Sequence, residues 1–205
     1  MIELYISSLI TFFVVIDPPG CAPIYAGLSA GAAPAQRRAM AVRAVGVASA
    51  ILLVFAVFGE GLLKGLGINL ASFRIAGGIM LFLIALEMVF EKRTERREDR
   101  AAKVSAQHVE DVSIFPMAMP MIAGPGSIAT VMLLGSRHPG LQAHLVVLAA
   151  MATILLLTLA ALLAAGPMMR LLGARIEAVI TRLLGVLLAA LAVQFVMDGL
   201  QVSLR

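Results

Sequence analysis

Of the 205 residues, 61% are hydrophobic and only 14% charged, with a mean hydropathy of +1.00. Soluble domains run about 45–50% apolar and about 25% charged, so this chain has more apolar surface than its charges can cover in water. That excludes a soluble enzyme and a disordered chain. It also excludes a nucleic-acid-binding domain, because the net charge of +4 comes from Lys and Arg set between apolar runs.

Six apolar runs follow one another. The first is Ile2 to about Ala30, with no Lys or Arg ahead of it and too long for a secretory leader. Asp17-Pro18-Pro19-Gly20 breaks it in the middle. The second is about 44–63 and the third about 70–90. A polar stretch, 91–112, then contains EKRTERREDR. The fourth run, Ser113–Leu134, is broken by Gly124-Pro125-Gly126. The fifth is about 143–165 and the sixth about 178–200. Each can cross about 30 Å of hydrocarbon as a helix, and none alternates with the period of a barrel strand. We expect an all-α polytopic membrane protein of six transmembrane helices. It forms a single membrane domain, 1–205, with no room for a separate soluble one. Its one cysteine, Cys21, rules out an internal disulfide. No cofactor, metal or nucleic-acid partner is expected; the lipid bilayer is.

With six spans, the first, third and fifth loops lie on one side. That side carries 12 of the 16 Lys and Arg residues, and the other side four: Lys64, Arg74, Arg137 and Arg205. The basic side faces the cytoplasm. Both termini then lie outside and the 91–112 loop inside. Its like-charged i,i+4 pairs, Glu91 with Glu95 and Arg93 with Arg97, read as a solvated connector more readily than as a binding patch.

Landmarks recur between the halves. Pro19-Gly20 answers to Pro125-Gly126 and Lys64-Gly65 to Arg170-Leu171, both at an offset of 106, and Arg74-Ile75-Ala76-Gly77 to Arg182-Leu183-Leu184-Gly185 at 108. Repeat one is about 1–95 and repeat two about 113–205. Three spans in each make a 3+3 inverted repeat, an arrangement found in secondary transporters.

The breaks carry the functional reading. Proline removes a backbone donor and glycine permits unusual φ, so each cluster should unwind its helix. Unwound backbone at membrane depth survives only inside protein or beside a wet cavity. A half-helix should restart at Pro18 or Pro19 with Asp17 as its N-cap, and another at Pro125 with Gly124 in the related place. Such starts present N–H groups and a positive dipole end, suited to a carboxylate. Ser127 and Thr130 add hydroxyls. The candidate substrate-binding residues are therefore Asp17, Pro18, Pro19, Gly20, Gly124, Pro125, Gly126, Ser127 and Thr130. Asp17 also reads as a plain helix cap, as a proton-coupling carboxylate or as a cation holder. Gln194 reads as a packing contact between helices, Cys21 as a small core residue, and Glu60 and Asp198 as charges near outer ends. Gly27 with Gly31, and Gly77-Gly78, offer close helix packing, and such small-residue faces permit a homo-oligomer without requiring one.

The stretches IDPPGCAPIYAGLS, FRIAGGIMLFLIALEMVF, IFPMAMPMIAGPGSIATVMLL and LLGVLLAALAVQFVMDGL resemble the MarC-type integral membrane proteins, and the resemblance runs over essentially the whole chain. It implies six spans in the bacterial inner membrane and a distant similarity to amino-acid exporters of the lysine-exporter type. Asp17-Pro18 departs from the Asn-Pro that the resemblance implies in many relatives.

The expected function is secondary transport of a small zwitterionic or anionic solute, such as a neutral amino acid, coupled to a proton or sodium. A drug pump would want an aromatic-lined pocket, and aromatics make up 5% of the chain. A non-transporting structural or assembly factor is the alternative. An intramembrane enzyme is the weakest reading, since His108, His138 and His144 fall in loops or at loop edges and no nucleophile–base pair lies within a span.

Overall fold

The computed structural model describes residues 1–90, 111–137 and 140–204, and of 167–178 the backbone alone. Residues 91–110 of the charged connector, His108 among them, and His138 lie outside the described residues. The described elements are helical: α1 (Ile2–Ile16), α2 (Pro18–Leu28), α3 (Pro34–Gly65), α4 (Leu70–Val89), a wide-turned segment (Ser113–Ile122), α5 (Pro125–Arg137), α6 (Leu141–Leu163) and α7 (Ala165–Ser203). Among the described residues five stretches are long and apolar enough to cross a membrane, α1 with α2 counting as one of 27 residues. The 113–122 segment and α5, which meet at 49°, make a sixth span if taken together.

Local chemistry sets several ends. Pro34 opens α3 in the first helical position, where its missing N–H is not needed. Gly67 takes φ +70° to turn the chain between α3 and α4, a conformation that suits glycine. The Asn69 side chain then caps α4 by accepting from the Ser72 N–H at 2.6 Å.

The fourth span differs from its expected form. Its first half is not a regular α-helix: Phe115 and Met119 have extended φ/ψ. Each precedes a proline, Pro116 or Pro120, and a residue before proline is driven out of the α region. The break thus begins well ahead of Gly124.

The broken spans lie innermost. In the first span 56% of the apolar window is buried, against 28% for α3 and for α4. This is where unwound backbone can be tolerated. Its enclosed residues, Phe12, Ile16 and Tyr25, pack in one core with Leu52, Met117, Ile122, Leu133, Met151 and Ile154. Apolar side chains such as Val57, Phe58, Leu83, Leu156 and Leu187 face outward, as expected for a surface solvated by lipid. The packing pairs across the halves. α1 and α2 lie on α6, while the 113–122 segment and α5 lie on α3; α2 touches α7, while α5 touches α4.

The broadest contact is between α4 and α7. Gly199 faces Ala71 and Ile75, Gly78 faces Ala192 and Val196, and Gly185 faces Ala85, Met88 and Val89. Numbers rise on one helix as they fall on the other, so the two run antiparallel. A Cβ on Gly78 would stand 2.8 Å from the Ala192 carbonyl oxygen, and one on Gly199 2.9 Å from that of Ala71. Small residues let these backbones approach, and dispersion holds them where lipid offers no hydrophobic force. Gly27 and Gly31, by contrast, have nothing within 4 Å of a Cβ built there among the described residues, so no such close approach is seen at them. We expect Gly78→Ala to destabilise the protein by about 1–3 kcal/mol. Gly46→Ala, which would meet nothing within 4 Å in α3, should hold or raise stability because alanine is the better helix former. Thermal unfolding of both variants in detergent checks the contrast.

Candidate functional site

At the first break the chain passes through Asp17 with φ 59° and ψ 66°, the left-handed region. Few residues besides glycine, asparagine and aspartate tolerate it. Asp17 closes α1, its N–H donating to the Phe13 carbonyl at 2.9 Å. It also opens α2, its carboxylate accepting from the Gly20 N–H at 3.2 Å. Pro18 follows in the first helical position, where its ring costs no hydrogen bond. Asp17 is 2% exposed. Pro18 and Gly20 are buried with it and Pro19 is half-buried. The expected N-cap is therefore present, and it holds a carboxylate inside the protein. Cys21 is buried behind it, with its Sγ donating to the Ile16 carbonyl at 3.5 Å.

At the second break α5 starts at Pro125, and the Gly124 carbonyl accepts its first helical bond, from the Ile128 N–H at 3.0 Å. A side chain at Gly124 would put a Cβ 2.3 Å from the Pro120 carbonyl oxygen. The Ser127 hydroxyl donates to the Ile122 carbonyl at 2.7 Å, satisfying an acceptor that the break frees. Thr130, one turn further on, is fully buried, and its hydroxyl has no hydrogen-bond partner among the described residues.

The structure brings the two breaks together. A Cβ on Gly126 would lie 3.4 Å from Val15 Cγ1, two residues before Asp17, and 2.6 Å from Ile84 Cδ1 on α4. The two helix starts are not alike, however. The N-terminus of α2 already faces the Asp17 carboxylate, so its dipole end is neutralised from within the chain. At α5 the related place belongs to Gly124, which has no side chain. A buried carboxylate thus caps one start, while at the other, among the described residues, no side chain accepts from the first N–H groups.

Anchors far from the breaks hold α5 in place, and the sequence reading missed them. Arg74 on α4 donates to the Ser136 carbonyl at 2.7 Å and to its Oγ at 3.3 Å, tying down the last turn. Arg137 pairs with Asp198 on α7 and lies 4.1 Å over the Phe195 ring. Gln194 donates to that same carboxylate at 2.8 Å, within its own helix rather than across to another. Arg137 and Asp198 stand 61 residues apart, so no local pattern could have joined them. At the opposite end of the fourth span, Asp111 pairs with Arg43 on α3. Ser113, beside the Asp111 carboxyl, and the Arg43 guanidinium hold it below the usual carboxylate range.

These features define a polytopic α-helical membrane protein with two broken spans meeting in its core. The family model for the MarC family of integral membrane proteins matches residues 2–204. The chain belongs to that family. It is 33% identical to the UPF0056 membrane protein MJ1677 of Methanocaldococcus jannaschii, over 99% of this chain and 98% of the relative. It is also 33% identical to the UPF0056 inner membrane protein YhgN of Escherichia coli K12, over 98% of each. To the UPF0056 membrane protein YvbG of Bacillus subtilis it is 34% identical, over 98% of this chain and 96% of the relative. No solved structure matches the chain.

Proposed function

We propose that the chain is a secondary transporter that moves a small zwitterion, of the size of a neutral amino acid, across the bacterial inner membrane. One observation carries this reading: a buried carboxylate, Asp17, beside a break that meets a second helix start with no acid of its own. A zwitterion needs an anion for its ammonium and N–H donors for its carboxylate, and the two breaks supply one each. Thr130 supports it, since a buried hydroxyl without a partner is costly unless a ligand or water meets it. Interrupted helices in corresponding places of two halves are the usual mark of a transport site, and the paired packing of the halves favours an inverted repeat that rocks about it. The inner membrane is supported by the E. coli relative YhgN, which is named as an inner membrane protein. The cytoplasmic side, by the excess of Lys and Arg, is the one bearing the 91–112 loop.

The test is uptake of labelled glycine, alanine and serine into proteoliposomes, with and without proton and sodium gradients. Saturable, gradient-driven uptake of one of them is the expected result. Absence of uptake of all three by folded, oriented protein would remove this solute class and favour the structural or assembly role.

A further inference from the structure

A cavity of about 480 Å³ lies between α3, α5 and α6, at the end where α3 finishes and α6 begins. Its size falls within the range of small-molecule sites. Leu63, Val131 and Val147, which line its inner part, are almost fully buried, so the cavity reaches into the bundle, while Val57, Leu141 and Leu145 at its rim are exposed. Val131 is six residues along α5 from Pro125, about 9 Å at helical rise, and follows Thr130 directly. The cavity therefore extends along α5 toward the second break. Met132 also lines it, and its side chain packs over Gly59, 2.8 Å from where a Cβ there would stand.

Its polar side chains are Glu60, His144 and Ser136, and the Ser136 hydroxyl is already engaged, donating to the Leu133 carbonyl at 2.9 Å and accepting from Arg74 at 3.3 Å. The Glu60 carboxylate only accepts hydrogen bonds, and its pairing with Lys64 at 2.9 Å is exposed and weak. His144 is half-buried, and its Nδ1 lies 2.9 Å from the Gly140 carbonyl oxygen. A carbonyl cannot donate, so Nδ1 carries a proton, and in the tautomer with that single proton Nε2 is an acceptor. That Nε2 faces α5, 3.6 Å from the place of a Cβ on Gly135. Two acceptors set in apolar walls of Phe55, Val147 and Leu148 call for a donor-bearing, cationic group on a compact apolar body.

We propose that this cavity is a water-filled antechamber that takes small organic ammonium solutes by way of Glu60 and His144 before they reach the break at Gly124–Gly126. The proposal rests on the transport reading and deepens it: the amine of the zwitterion is selected here, ahead of the central site. On the distribution of Lys and Arg, the cavity opens on the side opposite the 91–112 loop.

The chain has one native cysteine, Cys21, and it is buried, so introduced cysteines can be read singly in the full-length protein. Leu148→Cys and Val147→Cys line the cavity, and Leu157→Cys sits on the outward face of the same helix. The probes are a cationic ethylammonium and an anionic ethylsulfonate methanethiosulfonate, with a membrane-soluble maleimide beside them, in vesicles of both orientations. Both cavity cysteines should react with the cationic probe several-fold faster than with the anionic one, from the side opposite the 91–112 loop. Glu60→Gln should abolish that preference. Leu157→Cys should react with the maleimide alone. If the cavity cysteines also react with the maleimide alone, an acyl chain fills the space and the proposal fails. A charge preference unaltered by Glu60→Gln also overturns it. Because labelling needs no transported solute, a negative uptake assay with positive labelling would sink the transport reading and leave the wet cavity standing.

Discussion

Gly124→Ala loses most of the folded protein. The new Cβ would stand 2.3 Å from the Pro120 carbonyl oxygen, nearer than real carbon–oxygen contacts approach, and the obstacle is backbone rather than a side chain that can swing aside. Pro120 sits in a stretch whose Phe115 and Met119 are already extended, and α5 beyond it is pinned by Arg74 and Arg137. Neither side can yield without breaking other contacts. Overpacking of this kind costs about 3 kcal/mol or more when the backbone itself must shift. Membrane yield and the unfolding midpoint in detergent measure it. A variant as stable as the parent would show that the close approach at the second break is not required. Gly65→Ala, with nothing within 4 Å of its Cβ, is the control.

Asp17→Asn keeps the fold and loses gradient-driven uptake. Asparagine is as good an N-cap as aspartate and also tolerates the left-handed conformation, so the bond from the Gly20 N–H and the φ of 59° survive the change. What disappears is the charge. An ionisable group at membrane depth is a functional feature by default, and coupling energies between sites correspond to about 5–150-fold. The gradient-driven component should therefore fall by about tenfold or more, with the unfolding midpoint little changed. Asp17→Ala serves as the contrast. It removes the cap, at about 1 kcal/mol, and sets a β-carbon in a strained conformation, so it should lose stability as well. Equal uptake in Asp17→Asn and the parent would reduce Asp17 to a helix cap.

The two variants also separate what could be read from the chain. Asp17-Pro18-Pro19-Gly20 was legible as a break because its signals are local: a proline without an N–H, a glycine without a Cβ and an aspartate that caps. The left-handed φ of Asp17 was less so, since aspartate adopts it only where its neighbours require it. In the fourth span, FPMAMP carried a readable signal, two residues held extended by the prolines after them, yet the apolar run concealed it. The asymmetry of the helix starts followed from residue identity, Asp17 against Gly124. What it means chemically appeared only once Gly126 was seen to lie beside Val15.

Hydropathy and length determined the six apolar runs and the all-helical class, because lipid leaves a spanning backbone no choice but to bond within itself. Proline and glycine chemistry determined where two of those spans are interrupted. The tertiary structure alone decided which surfaces meet: the antiparallel seam of Gly78, Gly185 and Gly199, the Arg137–Asp198 anchor, and the cavity that sets Glu60 on α3 opposite His144 on α6. These join residues far apart in the chain. In a bilayer such contacts are selected by close packing and pairing rather than by hydrophobicity, so composition leaves no trace of them.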